Sequence, residues 1–196
     1  MELLTNGVGL SVVVFFPLIS AFIITLIPKA QEQLIKGFAL VSSLITFVIS
    51  AVLLFQFDFS SADKLQLGNK ISWIKSINAN YEIGIDGISL PLLVLSTFIT
   101  VLAIIYSIEH LPEPKSPKGF LALILVLETG MNGTFVALDL ILFFVFFEIV
   151  LLPMYFMIGI WGDKTVRTVS GFKNQIETRL YACLLYTSPS PRDISR

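Results

Sequence analysis

Apolar residues gather in five runs along the chain, at about Val8–Pro28, Leu34–Phe57, Ile88–Ile108, Phe120–Ala137 and Leu140–Ile160. Crossing a bilayer takes about 20 residues at ~1.5 Å rise each, so the pattern predicts five transmembrane helices. Between the second and third runs lies one extended polar segment, Asp58–Asp86. Within it Ile71 and Trp73, then Tyr81, Ile83 and Ile85, alternate with polar neighbours around Asn78-Ala79-Asn80. That period of two predicts a small β-hairpin lying on the membrane surface, where Trp73 and Tyr81 suit the interface.

Local signals refine these elements. The opening residues MELLTNG hold Glu2 and no Lys or Arg, so the first run reads as a retained span and not a secretory signal. Pro17 sits in its middle, where membrane helices kink and neighbours satisfy the freed carbonyl. Ser42, Thr46 and Ser50 share one face of the second helix, and Ser89, Ser96, Thr100 and Ser107 one stripe of the third. Small hydroxyl residues on one face predict close helix packing. Asp86-Gly87-Ile88-Ser89 supplies capping residues for the third helix, and Asp139 marks a tight turn that makes helices four and five antiparallel neighbours. His110, in the proline-punctuated loop EHLPEPKSPK, reads as an ordinary exposed side chain at the membrane edge.

Composition narrows the class. Hydrophobic residues make up 55% of the chain, charged residues only 14%, and the mean hydropathy is +0.86. Soluble domains carry about 25% charged residues, so the expectation is an all-α membrane protein. A net charge of −1 gives no electrostatic footprint for nucleic acid. Cys183 and His110 are the only residues of their kinds, too few to ligate an iron–sulfur cluster, haem or structural zinc.

The chemistry is expected in the fifth run, LILFFVFFEIVLLPMYFMIGI. Glu148 lies near its midpoint, where a carboxylate costs about 2.5–3.5 kcal/mol on insertion scales. Pro153 leaves the Ile149 carbonyl without its helical partner, so an acid and a freed acceptor sit side by side at mid-membrane depth. This pairing reads as a proton site. Glu128, near the centre of the fourth run and followed by Gly130 and Gly133, stands eleven residues before Asp139, while Glu148 stands nine after it. Both carboxyls therefore lie at similar depth. Glu128 has three open readings: a second relay carboxyl, a like-charged neighbour of Glu148, or a protonated acid bonded to a backbone carbonyl near Gly130. Moving one charge against about 100 mV costs about 2.3 kcal/mol, and the sequence holds no Walker loop or redox site to supply it. The drive must come from partner chains or from another ion's gradient.

Lys29, Lys36, Lys115, Lys118, Lys164, Arg167, Lys173 and Arg179 fall on one side of the predicted bundle. Lys64, Lys70 and Lys75 fall on the other, diluted by Asp58, Asp63, Glu82 and Asp86. The positive-inside rule then puts the N-terminus outside and the Trp161–Ala182 segment in the cytoplasm. The last residues, Cys183–Arg196 (CLLYTSPSPRDISR), have no helical period. They resemble the translated adapter of a transposon-based sequencing library and read as a cloning or assembly scar. The expected organisation is residues 1–182 as part of a membrane domain and 183–196 as a non-native tail, with the natural chain continuing further.

The runs FFEIVLLPMYFMIGIWGDK, IDGISLPLLVL and ETGMNGTFVALDLILFF resemble the M chain of proton-pumping NADH–quinone oxidoreductase, respiratory complex I, over Val8–Ala182. The resemblance implies an antiporter-like bundle of about fourteen helices in two inverted repeats of about five, of which this chain holds the first five helices. It implies that Glu148 is the family's key glutamate, paired with a lysine two helices later. It also implies a non-redox subunit of a translocase that binds no cofactor itself. NADH, flavin, iron–sulfur clusters and quinone are expected in partner subunits, and L-like and N-like chains as neighbours in a bacterial plasma membrane. Asp163–Thr178 is longer than the family leads one to expect. Two other readings are a subunit of a multisubunit sodium/proton antiporter and a passive membrane scaffold.

Overall fold

The computed structural model describes residues 8–59, 65–74, 79–111 and 116–161. The elements run α1 (Val8–Leu26), α2 (Glu32–Gln56), β1 (Gln66–Ile74), β2 (Ala79–Ile85), α3 (Ser89–Glu109), α4 (Pro117–Val136) and α5 (Leu140–Trp161). All five helices are long and apolar enough to cross a membrane, as the hydropathy pattern predicts. Residues up to Met154 form one compact unit, and Tyr155 begins a second. The tip of the hairpin, the Asp163–Thr178 segment, the 183–196 tail and Lys64, Lys75, Lys115 and every basic residue after Trp161 lie outside the described residues.

Within the first unit, helices α1 to α4 pack together, with α1 set against α2 and α4 and α3 against α2 and α4. The faces that meet are the ones the hydroxyl residues mark. Ser42, Thr46 and Ser50 of α2 are buried, as are Ser96, Thr97, Thr100 and Ser107 of α3. Thr97 Oγ1 lies 2.8 Å from Ser50 Oγ, a direct hydroxyl pair between α2 and α3. Most of the others return their proton to their own helix: Thr46 Oγ1 donates to the Ser42 carbonyl and Thr100 Oγ1 to that of Ser96. This back-bonding satisfies the hydroxyl without requiring a partner helix to supply one.

At one end, lysines close the helix C-termini. Lys36 Nζ donates to the Ile108 carbonyl at 3.2 Å and Lys118 Nζ to that of Ile27 at 2.7 Å. A cation among carbonyls that have no intrahelical partner satisfies both the hydrogen bond and the helix dipole.

The hairpin closes the opposite end. β1 and β2 pair antiparallel in the register Asn69↔Ile83, Lys70↔Glu82, Ile71↔Tyr81 and Ser72↔Asn80. It is more than a surface ornament: Ile83 and Ile85 are buried with Leu10, Val13 and Val14 of α1, Leu90 and Leu93 of α3, and Leu142 and Phe146 of α5. Ile71 and Trp73 of β1 instead remain exposed. A bulge between Gln66 and Asn69 holds Leu67 at φ 54°, and Leu67 packs against the same core. Left-handed backbone at a non-glycine residue costs about 1–2 kcal/mol, which the side chain's burial offsets.

Two caps follow the sequence signals. Asp86 Oδ1 accepts from the Ser89 amide at 2.7 Å while the Asp86 amide donates to Ser89 Oγ at 3.0 Å, a reciprocal box at the start of α3. Asp139 Oδ1 accepts from the Ile141 and Leu142 amides at the start of α5, and its Oδ2 accepts from the Asn80 amide of β2 at 3.0 Å. Beside it the Leu138 amide donates to the Glu82 carbonyl at 2.9 Å. One aspartate thus caps the fifth helix and ties it to the hairpin.

The Asn80 amide, then those of Ile141 and Leu142, hold the Asp139 carboxyl below its ordinary value. Its folded-state value being depressed, its contribution to stability is present above the ordinary aspartate range and is lost as pH falls through the folded value. We therefore expect Asp139→Ala to speed hydrogen exchange at the Asn80 amide near neutral pH. The difference between wild type and variant should shrink as the medium is acidified below pH ~4. Exchange measured by mass spectrometry across that range checks it, and equal rates at pH 7 would refute it.

Candidate functional site

Both carboxyls singled out in the sequence lie within spans, but their surroundings differ. The crossing of α4 and α5 sets their relation. A methyl group at Gly130 would come within 2.6 Å of Val150 Cγ2 and 2.9 Å of the Val150 amide nitrogen, and one at Gly133 would overlap the Phe146 ring. The two glycines therefore let the helices meet backbone to backbone, as small residues do in membrane bundles. The pairing of Phe146 with Gly133 and Val150 with Gly130 puts Glu148 level with residues 131 and 132. Glu128 lies about one helical turn, ~5 Å, away along the axis, so the two acids share nearly the same depth.

Their directions diverge. Glu148 is two residues from both Phe146 and Val150, which turns it about half a revolution away from α4. It is half-buried, and among the described residues it makes no hydrogen bond or ion pair. Its neighbours one and two turns along the helix, Ile141, Phe144 and Leu152, are 36%, 45% and 60% exposed. The carboxyl therefore sits in the middle of an apolar face on which no described element packs. Glu128, by contrast, is fully buried, on the inward stripe of α4 made by Leu121, Leu125, Glu128, Asn132 and Val136. Neither of its carboxyl oxygens has a hydrogen-bond partner, so the bond to a carbonyl near Gly130 that the sequence left open is not made.

Asn132 is the polar residue that sequence reasoning passed over. Pro17 deprives the Val13 carbonyl of its helical amide. Asn132 Nδ2 donates to that carbonyl across the α1–α4 interface at 3.4 Å, while its Oδ1 accepts from Ser96 Oγ of α3, also at 3.4 Å. A polar residue one turn beyond a buried acid was the available signal, but its partner stands 119 positions earlier in the chain. Tyr81, on the hairpin, meets Ser11 of α1 at 3.1 Å, and burial pushes its phenol above the ordinary value despite that bond. His110 is exposed and stacked on Tyr106 at 4.7 Å, as its position in a loop suggested.

A bundle of helices each long and apolar enough to cross a membrane, with two carboxyls inside them, defines an integral membrane protein. Residues 12–134 match the family described as NADH-ubiquinone oxidoreductase chain 4, amino terminus. Residues 137–188 match NADH:quinone oxidoreductase/Mrp antiporter, TM. The chain belongs to the NADH-ubiquinone oxidoreductase chain 4 family. It is 37% identical to the NAD(P)H-quinone oxidoreductase chain 4 of Prochlorococcus marinus, over 79% of this chain and 28% of that protein. It is 37% identical to the NADH-ubiquinone oxidoreductase chain 4 of Marchantia polymorpha, over 80% and 31%. It is 36% identical to the F(420)H(2) dehydrogenase subunit M of Methanosarcina mazei, over 89% and 34%. The chain thus spans about a third of these relatives' length, or less.

The glycine crossing makes a quantitative expectation. Gly130→Ala should destabilise the protein by about 1–3 kcal/mol, the usual cost of forcing a methyl into a filled space. Gly37→Ala, in an exposed helix position with no atom within 4 Å, should be neutral or stabilising by up to about 1 kcal/mol. Thermal unfolding of the two variants in detergent checks the contrast, and equal effects would refute the close α4–α5 contact.

Proposed function

We propose that this chain is the amino-terminal part of a proton-translocating membrane subunit of an NADH–quinone oxidoreductase, and that Glu148 is its proton relay. The observation that carries the reading is the position of Glu148 in the middle of the open apolar face of α5. Lipid is a poor neighbour for that face, because an intramembrane acid is stable only beside polar groups, water or a counter-charge. A further helix of the same protein, bearing a lysine, would supply them.

The chemistry follows from two opposed effects. Desolvation favours the neutral acid and a nearby ammonium favours the carboxylate. A carboxyl held between them takes up a proton when the cation withdraws and releases it when the cation returns. The freed Ile149 carbonyl, four residues before Pro153, offers the neutral acid an acceptor one residue from Glu148. The hairpin and Asp139 fix the entrance of α5, so the relay would ride on a helix anchored at one end.

In this reading the chain carries no redox group. NADH, flavin, iron–sulfur clusters and quinone belong to partner subunits, whose electron transfer drives the L-like, N-like and M-like membrane chains together. The N-terminus lies outside a bacterial plasma membrane and the lysine-closed end of the bundle faces the cytoplasm. A sodium/proton antiporter subunit is the competing reading, since the transmembrane family match carries both names. The match of the larger part of the chain to the chain 4 amino terminus favours the oxidoreductase.

Replacing Glu148 by Gln in the full-length protein, within its assembled complex, should lower proton pumping about 10²-fold or more, the usual worth of a positioned proton-transfer group. Glu148→Asp should retain part of it. Dye-detected acidification of membrane vesicles, measured per NADH oxidised, reads both. Wild-type coupling in Glu148→Gln would remove the relay, and a purified complex without NADH-oxidising subunits would favour the antiporter.

A further inference from the structure

The Glu148 reading makes no use of Glu128. This second acid has no exposed surface, and neither oxygen meets a donor. Contacts between helices fix what stands at its level. Ser96 of α3 meets Asn132 of α4, and Thr97 of α3 meets Ser50 of α2. These helices run antiparallel, so one turn along the bundle Thr100 of α3 and Thr46 of α2 stand level with Glu128. Both are buried.

Their protons are already committed. Thr100 Oγ1 donates to the Ser96 carbonyl at 3.0 Å, Thr46 Oγ1 to the Ser42 carbonyl at 3.1 Å, and adjacent Thr129 Oγ1 to the Leu125 carbonyl at 3.1 Å. A hydroxyl in that state offers lone pairs and no hydrogen. Asn132, one turn on, has its amide directed at the Val13 carbonyl. Ser42, one turn along α2 on the side toward which the Glu128 side chain leans, keeps an uncommitted hydroxyl, but it bonds to neither carboxyl oxygen. Among the described residues no cation faces this level either. Helix α1 has no ionisable residue, α2 has only Glu32 and Lys36 in its first turns, α3 only Tyr106 and Glu109 near its end, and α4 itself only Lys118 at its start. On α5, Glu148 is turned away from α4 and Tyr155 lies beyond the first unit.

A buried carboxyl whose oxygens receive no hydrogen bond and that faces no cation among the described residues is favoured as the neutral acid and disfavoured as a carboxylate. We propose that Glu128 is a second proton-holding site of the bundle, carried as the neutral acid. It stands apart from the proton site at Glu148. The two share depth but open to opposite sides of the α4–α5 crossing, so each holds its proton independently.

Infrared difference spectroscopy on the assembled complex, wild type against Glu128→Gln at pH 7, tests this. An ordinary exposed glutamate is ionised at that pH. The expected result is the carbonyl stretch of a protonated carboxylic acid that is lost in Glu128→Gln and kept in Glu148→Gln. Carboxylate bands in its place, or an acid band that disappears with Glu148 instead, would overturn the proposal. Where Glu128→Gln does not assemble, Glu128→Asp reads the same acid. The acid band should shift with the changed side chain, and a band that stays in place would count against the site.

Discussion

In a bilayer the backbone has no water to turn to, so each polar group must find its partner inside the protein. One interaction shows how far that constraint reaches here. Pro17 removes an amide from the middle of α1 and leaves the Val13 carbonyl open. The group that closes it comes from α4, through Asn132, which in turn is held by Ser96 of α3. A single unsatisfied carbonyl would cost several kcal/mol in hydrocarbon. That cost makes the α1–α3–α4 arrangement specific as well as compact: leucine surfaces slide past one another, whereas Asn132 has one place where both ends of its amide are satisfied.

The same accounting explains the use of hydroxyls and glycines. Ser and Thr on the inner faces of α2 and α3 bond mostly to their own helices and so tolerate burial without dictating their neighbours. Gly130 and Gly133 let α5 approach α4 closely on one side only. The hairpin, pinned through Ile83, Ile85 and the Asp139 carboxylate, then fixes where α5 begins. The result is a helix clamped at its entrance and along one face, with its other face, and Glu148 on it, covered by no described element.

Much of this was legible in the residues. Helix positions followed from hydropathy because a bilayer imposes its thickness directly on the chain, and helices α1 to α5 begin and end within a few residues of the predicted runs. The hydroxyl stripe of Ser42, Thr46 and Ser50 and the turn at Asp139 were local patterns, read at spacings of four residues or fewer, and both have the expected roles. What escaped was non-local. The bond from Asn132 to Val13 depends on which helices become neighbours, a choice that periodicity cannot express. The exposure of Ile71 and Trp73 depends on which strand of the hairpin packs against the helices, which alternation along one strand cannot tell. Glu128 was visible as a buried acid, but that its oxygens receive no hydrogen bond follows only from where the facing threonines send their protons.

The contrast between the two acids is finally one of access. A proton site that works in transport has to be reachable in turn from opposite sides, which requires a neighbour that moves. Glu148 stands on a face of α5 on which no described element packs, where in the proposed reading an added helix would approach and withdraw. Glu128 is fully buried on the stripe of α4 that packs against α1, α2 and α3. In the proposed reading, holding a proton and passing one on are separated within a single turn of depth. The separation arises because Gly130 and Gly133 give α4 and α5 a shared seam from which the two carboxyls point apart.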